Sequence, residues 1–189
     1  MWKDKKMEDY AYVLDYLAEG RPDQGGYKHE SLTLALGEDE LKLFELILKR
    51  DKTVFIGERV YIGKDTEKRE KVKHVKHRIG WDELTHAAQS EVPYIIEDII
   101  EEKEEKYLEF YNVARPITKR YHMLELLPGL GQKKMNAILE ERKKNGEFKN
   151  FEDLEERVPL LHKPKKLVKE RILTELKDPS VKYKIWVAD

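Results

Sequence analysis

Over the first 80 residues the apolar positions fall in short runs broken by glycines and charged turns, the spacing of strands rather than of helices. Residues 10–17 (YAYVLDYL) are rich in aromatic and β-preferring side chains and stop at Glu19-Gly20-Arg21-Pro22, which predicts a strand ended by a turn, with loop over 23–27. Residues 31–36 and 41–48 flank a turn at Gly37-Glu38-Asp39. LKLFELILK fits an amphipathic helix or a buried strand, and strand is favoured for both runs. Short strands at 53–56 and 58–62 are pinched by Gly57 and Gly63. After a charged turn over 64–70, residues 71–79 alternate in part between apolar and basic positions, with the apolar side expected to face a core. Several short strands with glycines at the bends predict a small closed or partly closed barrel.

From Trp81 the period becomes helical. A short helix is expected over 82–88. Ser90 is then expected to cap a longer helix running to about Tyr111, with Pro93 in its first turn, where the missing N–H costs little. Ile95, Ile96, Ile99, Ile100, Tyr107, Leu108 and Tyr111 recur at helical spacing, opposite Glu97, Asp98, Glu101, Glu102, Glu104 and Glu105. Residues 112–118 read as a turn, and 119–127 as a helix leading to Leu126-Leu127-Pro128-Gly129-Leu130-Gly131, a tight bend before the next helix. Beyond Lys144-Asn145-Gly146 lies a weaker copy: Phe148 and Phe151 lead into 152–158, then Pro159-Leu160-Leu161-His162, then a helix over 163–176, both glycines having been lost. Residues 182–187 fit a terminal strand docking back on the barrel. The fold class is α+β. An OB-like barrel at 1–80 is followed by bridging helices at 81–113, a domain of tandem helix-hairpin-helix motifs at 114–178 with the second degenerate, and a C-terminal strand or tail at 179–189.

The bend at residue 130 carries the most chemistry. Two glycines around one apolar residue let the backbone turn sharply and approach a partner closely, and the helix that follows at once aims its free N–H groups the same way. The amides of Gly129, Leu130, Gly131 and Gln132, with Lys133 and Lys134 beside them, form a phosphate-binding shape. It resembles the helix-hairpin-helix motif of proteins that grip nucleic-acid backbones without reading sequence. Lys163, Lys165 and Lys166, with Lys169, cluster at the start of the second copy's helix. Arg120 falls in the first turn of the incoming helix, where a cation invites a phosphate or carboxylate partner, a salt bridge to Glu125 or to the acidic helix being the alternative.

Net charge is −1, so nucleic-acid contact requires local clusters. Residues 49–78 hold 11 basic against 5 acidic residues, residues 91–109 hold 2 against 8, and residues 119–177 hold 15 against 10. The basic barrel face around Lys71, Lys73, Lys76 and Arg78 is the second candidate contact. Tyr12, Phe55, Tyr61 and Trp81 are candidate stacking platforms, although each reads first as core.

Cysteine is absent, which removes zinc ribbons and thiol catalysis. His74 and His77 lie on a basic strand unsuited to a cation. No Walker-type loop occurs, and Gly129-Leu130-Gly131 does not follow a strand, so neither nucleotide hydrolysis nor a dinucleotide site is indicated. No cofactor, metal or catalytic residue is expected. No run reaches membrane-span length, and the expected location is the cytoplasm. Charged residues make up 40% of the chain, which fits an intracellular protein from a hot environment.

Residues 110–131 read FYNVARPITKRYHMLELLPGLG. With ERVYIG at 58–63 and WDELT at 81–85, the chain resembles the archaeal family known as domain of unknown function 655, most densely between Asn112 and Arg142. The resemblance implies an OB-like N-terminal module, C-terminal helix-hairpin-helix elements and nucleic-acid binding, and supplies no catalytic residues. The expected function is therefore a non-enzymatic protein that holds the phosphate backbone of RNA, in preference to DNA, without sequence specificity. Translation or ribosome biogenesis is the compatible setting. The alternative is a protein-interaction scaffold docking ribosome or RNA polymerase components.

Overall fold

The computed structural model describes residues 7–22 and 30–189; the loop expected at 23–27 lies outside them. The chain divides into two compact units. One reaches to Ile95 and takes in Lys184–Asp189, the other spans Ile96–Tyr183, and the boundary falls inside a helix.

The first unit is built on five antiparallel strands: β1 (Tyr10–Leu17), β2 (Leu32–Gly37), β3 (Leu43–Leu48), β4 (Arg59–Tyr61) and β5 (Val72–Ile79). Their order is β4-β1-β2-β3-β5. Central β2 is buried at all six positions, which explains why LTLALG reads as a continuous apolar run: a strand covered on both faces loses its alternation. Ala11, Val13, Ala35, Phe44, Leu46, Val60, Ile62 and Val72 form the core on the concave side. The sheet is a curled half-barrel, with β4 and β5 as its two edges. Arg69 donates to the carbonyl of Gly63 (2.7 Å) just beyond β4 and to that of Lys73 (3.1 Å) on β5. Lys71 meets Glu58 at 2.7 Å. Side chains thus lace edges that no backbone ladder joins.

Residues 53–56, expected as a strand, are irregular, because the chain turns there instead: the Glu58 N–H bonds the Phe55 carbonyl at 3.1 Å. Residues 182–187 are not a strand either; that tail is held by single contacts such as Ala188 N–H to the Glu40 carbonyl, 3.1 Å.

The helix also starts ahead of Ser90. After a 3-10 turn at Trp81–Glu83, α1 (His86–Glu102) begins behind Thr85, whose Oγ1 accepts the Ala88 N–H (3.1 Å) and donates to Asp15 (2.5 Å). Ser90 and Pro93 are therefore interior, and Ser-x-x-Pro imitates a cap that Thr85 already supplies. The long helix also breaks at Lys103, where α2 (Glu104–Val113) begins. Among the described residues no helix is long and apolar enough to cross a membrane.

In the second unit α2 is followed by a two-strand hairpin, β6 (Pro116–Thr118) and β7 (Tyr121–His122), and a 3-10 turn at Met123–Leu126, where one helix over 119–127 was expected. Then come α3 (Gln132–Asn145), α4 (Phe151–Arg157) and α5 (Pro164–Lys177). Asn112 fixes the α3–α4 connection like a strand partner: its Oδ1 accepts the Phe148 N–H at 2.8 Å and its Nδ2 donates to the Phe148 carbonyl at 3.0 Å. On α5, buried Arg171 pairs with buried Glu175 at 3.0 Å and donates to the carbonyls of Leu126 and Tyr183.

Two expectations follow. Glu8 is buried over Gly37, where a Cβ would meet its Oε2 at 1.6 Å, and it accepts the amides of Asp39 and Glu40. Burial outweighs those bonds and pushes its carboxyl up to about 7 from 4.5. The folded state then holds a proton the unfolded chain releases, so stability is greatest below the unfolded value and falls as pH rises through the folded one, by on the order of 3 kcal/mol. Urea unfolding between pH 5 and pH 8 should show this decline in the wild type and a flatter profile in Glu8→Gln. Arg171→Met strips buried Glu175 of its guanidinium and should cost about 3–5 kcal/mol in the same assay, far beyond a surface substitution.

Candidate nucleic-acid interface

Leu127-Pro128-Gly129-Leu130 is a β-turn closed by the Leu130 N–H on the Leu127 carbonyl at 3.2 Å. Pro128 at the second position and Gly129 at the third, with φ +77, make it type II. The Leu130 amide is thereby consumed and its side chain is buried, so of the expected donors Leu130 serves as anchor and not as ligand. Gly131, in extended conformation, is the residue before α3 and has no side chain to cap it; the first helical bond is Met135 N–H to the Gly131 carbonyl, 3.0 Å. The amides of Gly129, Gly131, Gln132, Lys133 and Lys134 have no partner among the described residues. A Cβ built on Gly129 or Gly131 meets nothing within 4 Å, so the side-chain face of both glycines is open.

The turn is held from behind. Leu124, Leu126, Leu127, Leu130 and Ile138 are buried, Met135 only half so. The 3-10 turn before it is capped reciprocally: His122 Nδ1 accepts the Leu124 N–H (3.0 Å) and Glu125 accepts the His122 N–H (2.7 Å). Burial, with Arg142 beyond it, holds the His122 imidazole below its ordinary pKa, which keeps Nδ1 available as acceptor. Arg142 of α3 donates to the carbonyls of Tyr111 (3.0 Å) and Ala114 (2.9 Å) at the end of α2, where a cation also suits the helix dipole.

The copy at 158–166 repeats the turn but not its donors. Leu161 N–H bonds the Val158 carbonyl at 3.0 Å, at the same offset as the first turn. An additional residue follows, Lys163 takes φ +50, Pro164 occupies the first helical position without an N–H, and the Lys166 amide bonds the Lys163 carbonyl. Lys165 pairs with Glu101 (3.3 Å), Lys169 with Glu97 (2.5 Å) and Lys166 faces Glu170 at 3.9 Å. These lysines and the acids of α1 line one groove of about 590 Å³, which cancels much of the expected positive cluster.

Arg120 is not helical. It sits exposed at the tip of the β6–β7 hairpin, its N–H on Thr118 Oγ1 at 3.2 Å, without a carboxylate among the described residues.

In the first unit, the β3–β5 register sets Leu46 opposite Val75 and Glu45 opposite His77, then Ile47 opposite His74 and Leu48 opposite Val72, leaving Lys76 and Lys73 as inserted residues of two bulges. Bulges re-aim side chains, and both lysines are exposed without a partner among the described residues. Lys71 is engaged by Glu58, and Arg78 donates to the Ala188 carbonyl. His77, exposed on β5, meets the buried Glu45 carboxylate at 3.2 Å, which Arg21 also contacts. The bulged spacing of valines at 72, 75 and isoleucine at 79 was the available signal for this strand's irregularity.

The family model described as "Protein of unknown function (DUF655)" matches residues 7–188. Uncharacterized protein MJ0038 of Methanocaldococcus jannaschii is 40% identical over 186 residues, 98% of this chain and 82% of that one. The crystal structure of Af1531 from Archaeoglobus fulgidus superposes with a TM-score of 0.87 at 45% identity, covering 96% of this chain and 100% of that one. By sequence and by fold, this chain belongs to the DUF655 family.

Proposed function

We propose that the protein binds nucleic acid through the phosphate backbone, RNA in preference to DNA, without sequence specificity and without catalysing a reaction. The observation that carries this is the run of amides at Gly129 and over 131–134 that have no partner among the described residues, on a segment exposed at Gly129 and 131–133 and half-buried at Lys134, beside two lysines on a buried anchor. Backbone donors in a concave turn at a helix start suit an anionic oxygen of any nucleotide, and they carry no base information. In this reading the segments 123–145 and 151–177 are tandem helix-hairpin-helix elements, the second adapted to packing, and the half-barrel is an OB-like module whose Lys73 and Lys76 add a second phosphate contact. Two modest contacts on one strand multiply in effect, and translation or ribosome assembly, rich in structured RNA, suits such a grip.

The test is a titration of single- and double-stranded RNA and DNA at several salt concentrations. Lys133→Glu combined with Lys134→Glu should weaken binding to unrelated sequences alike and lower the log–log salt slope by roughly 1.5. A loss confined to particular sequences contradicts a backbone grip, and salt-independent capture of a protein with no oligonucleotide affinity favours the scaffold alternative. Gln132→Pro is a cleaner probe. It removes one donor at a position where proline is tolerated, as Pro164 already shows in α5, and leaves charge unchanged. It should weaken binding about tenfold, the weight of one charge-assisted hydrogen bond, with the thermal melt nearly unmoved.

A further inference from the structure

The segment between β3 and β4 displays an apolar pair where folding has no use for it. Val54 turns inward against the half-barrel core, whereas the next residues, Phe55 and Ile56, are 67% and 45% exposed. The turn that carries them is rigidly held. Its Glu58 N–H bonds the Phe55 carbonyl (3.1 Å), Glu58 Oε1 accepts the Phe55 N–H (3.2 Å), and Glu58 Oε2 meets Lys71 at 2.7 Å. Gly57, at φ +87, donates to the Val13 carbonyl (2.8 Å), and the Val13 N–H returns to the Glu58 carbonyl (2.9 Å). Sequence alone favoured Phe55 as core, since a lone aromatic beside valine usually is.

The surroundings are cationic. Lys49, Arg50 and Lys52 on the same segment are exposed and have no side-chain partner among the described residues, with Asp51 the only acid between them. The Lys49 N–H bonds the Lys71 carbonyl at 2.8 Å, so this segment leaves the sheet where β5 and its free Lys73 begin. Two apolar side chains are far too few for a stable protein interface, which needs about 800 Å² from each partner. One exposed ring on a segment that also carries three exposed cations matches one base and the phosphates flanking it. A duplex keeps its base faces stacked internally, so only an unpaired nucleotide can offer one.

We infer that Phe55 is a stacking platform for an unpaired base of single-stranded nucleic acid, with Lys49, Arg50 and Lys52 holding the adjoining phosphates. This rests on the nucleic-acid reading above and adds to it a preference for unpaired strands. Phe55 is two-thirds exposed and is not among the residues packed on the half-barrel core, so Phe55→Ala should keep the fold, which a thermal melt verifies. Fluorescence anisotropy of the full chain is measured with a labelled mixed-sequence single strand, the same strand annealed to its complement, the strand carrying abasic sites, and phosphatidylserine vesicles as a competitor surface.

Phe55→Ala should weaken the intact single strand about tenfold, change duplex binding by less than about twofold, and make no difference on the abasic strand, while Phe55→Trp retains wild-type affinity. Equal losses on single strand and duplex overturn the platform, as does vesicle binding that alone depends on Phe55. Should Phe55→Ala bind the single strand as wild type does while Lys133→Glu with Lys134→Glu still weakens it, stacking fails and the backbone grip stands. If wild type binds none of the oligonucleotides, both fall.

Discussion

A helix that starts on glycine has no side chain with which to satisfy its own first amides. Gly131 opens α3 in this way, and the turn before it consumes only the Leu130 donor, so five backbone N–H groups have no partner among the described residues. Unsatisfied donors at a helix start normally find a cap, water or a ligand. Around this one the protein has invested its rigid contacts on the inner side: buried leucines, the reciprocal His122–Glu125 cap, and Arg171 on the Leu126 carbonyl. The outer side is left polar, basic and unfilled, an arrangement that preorganises donors without closing them off.

The same backbone turn occurs twice in the C-terminal unit, and the comparison isolates what matters. Both copies close the turn with one hydrogen bond at the same offset and bury an apolar residue behind it. The second replaces Gly129 by Leu160, inserts a residue, places proline at the first helical position and returns a helical amide to Lys163. Its lysines then find carboxylates on α1 and α5. With nearly equal numbers of basic and acidic residues, the chain's local charge is decided by such pairings rather than by counts. Among the described residues Lys133, Lys134, Lys73 and Lys76 have no side-chain partner, whereas Lys71, Arg78, Lys165 and Lys166 are engaged.

At several elements tertiary contacts overrule the local signals of the sequence. Ser90 with Pro93 looks like a helix start, yet Thr85 caps α1 because Asp15 on β1 positions its hydroxyl. Residues 119–127 carry a helical mix of side chains, but the Thr118–Tyr121 pairing turns the chain back before one forms, which moves Arg120 from a helix to a hairpin tip. The 53–56 run has strand composition and becomes a turn, closed by the Glu58 N–H on the Phe55 carbonyl, while the bonds of Gly57 and Glu58 to Val13 continue the β1–β4 edge.

The sequence by itself determined the strand-rich first half, four of the five strands of its sheet to within a residue or two and the fifth in shortened form, the helical second half, and the Pro-Gly turn whose geometry follows from the only residues that accept it. These are local properties, fixed by side-chain period and by φ. Tertiary structure alone decided that the barrel stays half open, that Lys73 and Lys76 stand out on bulges, that Phe55 is displayed rather than buried, and which lysines keep their charge free. Each of those depends on what lies across space from a residue, such as a partner strand, a carboxylate or nothing at all, and neighbours along the chain do not encode it.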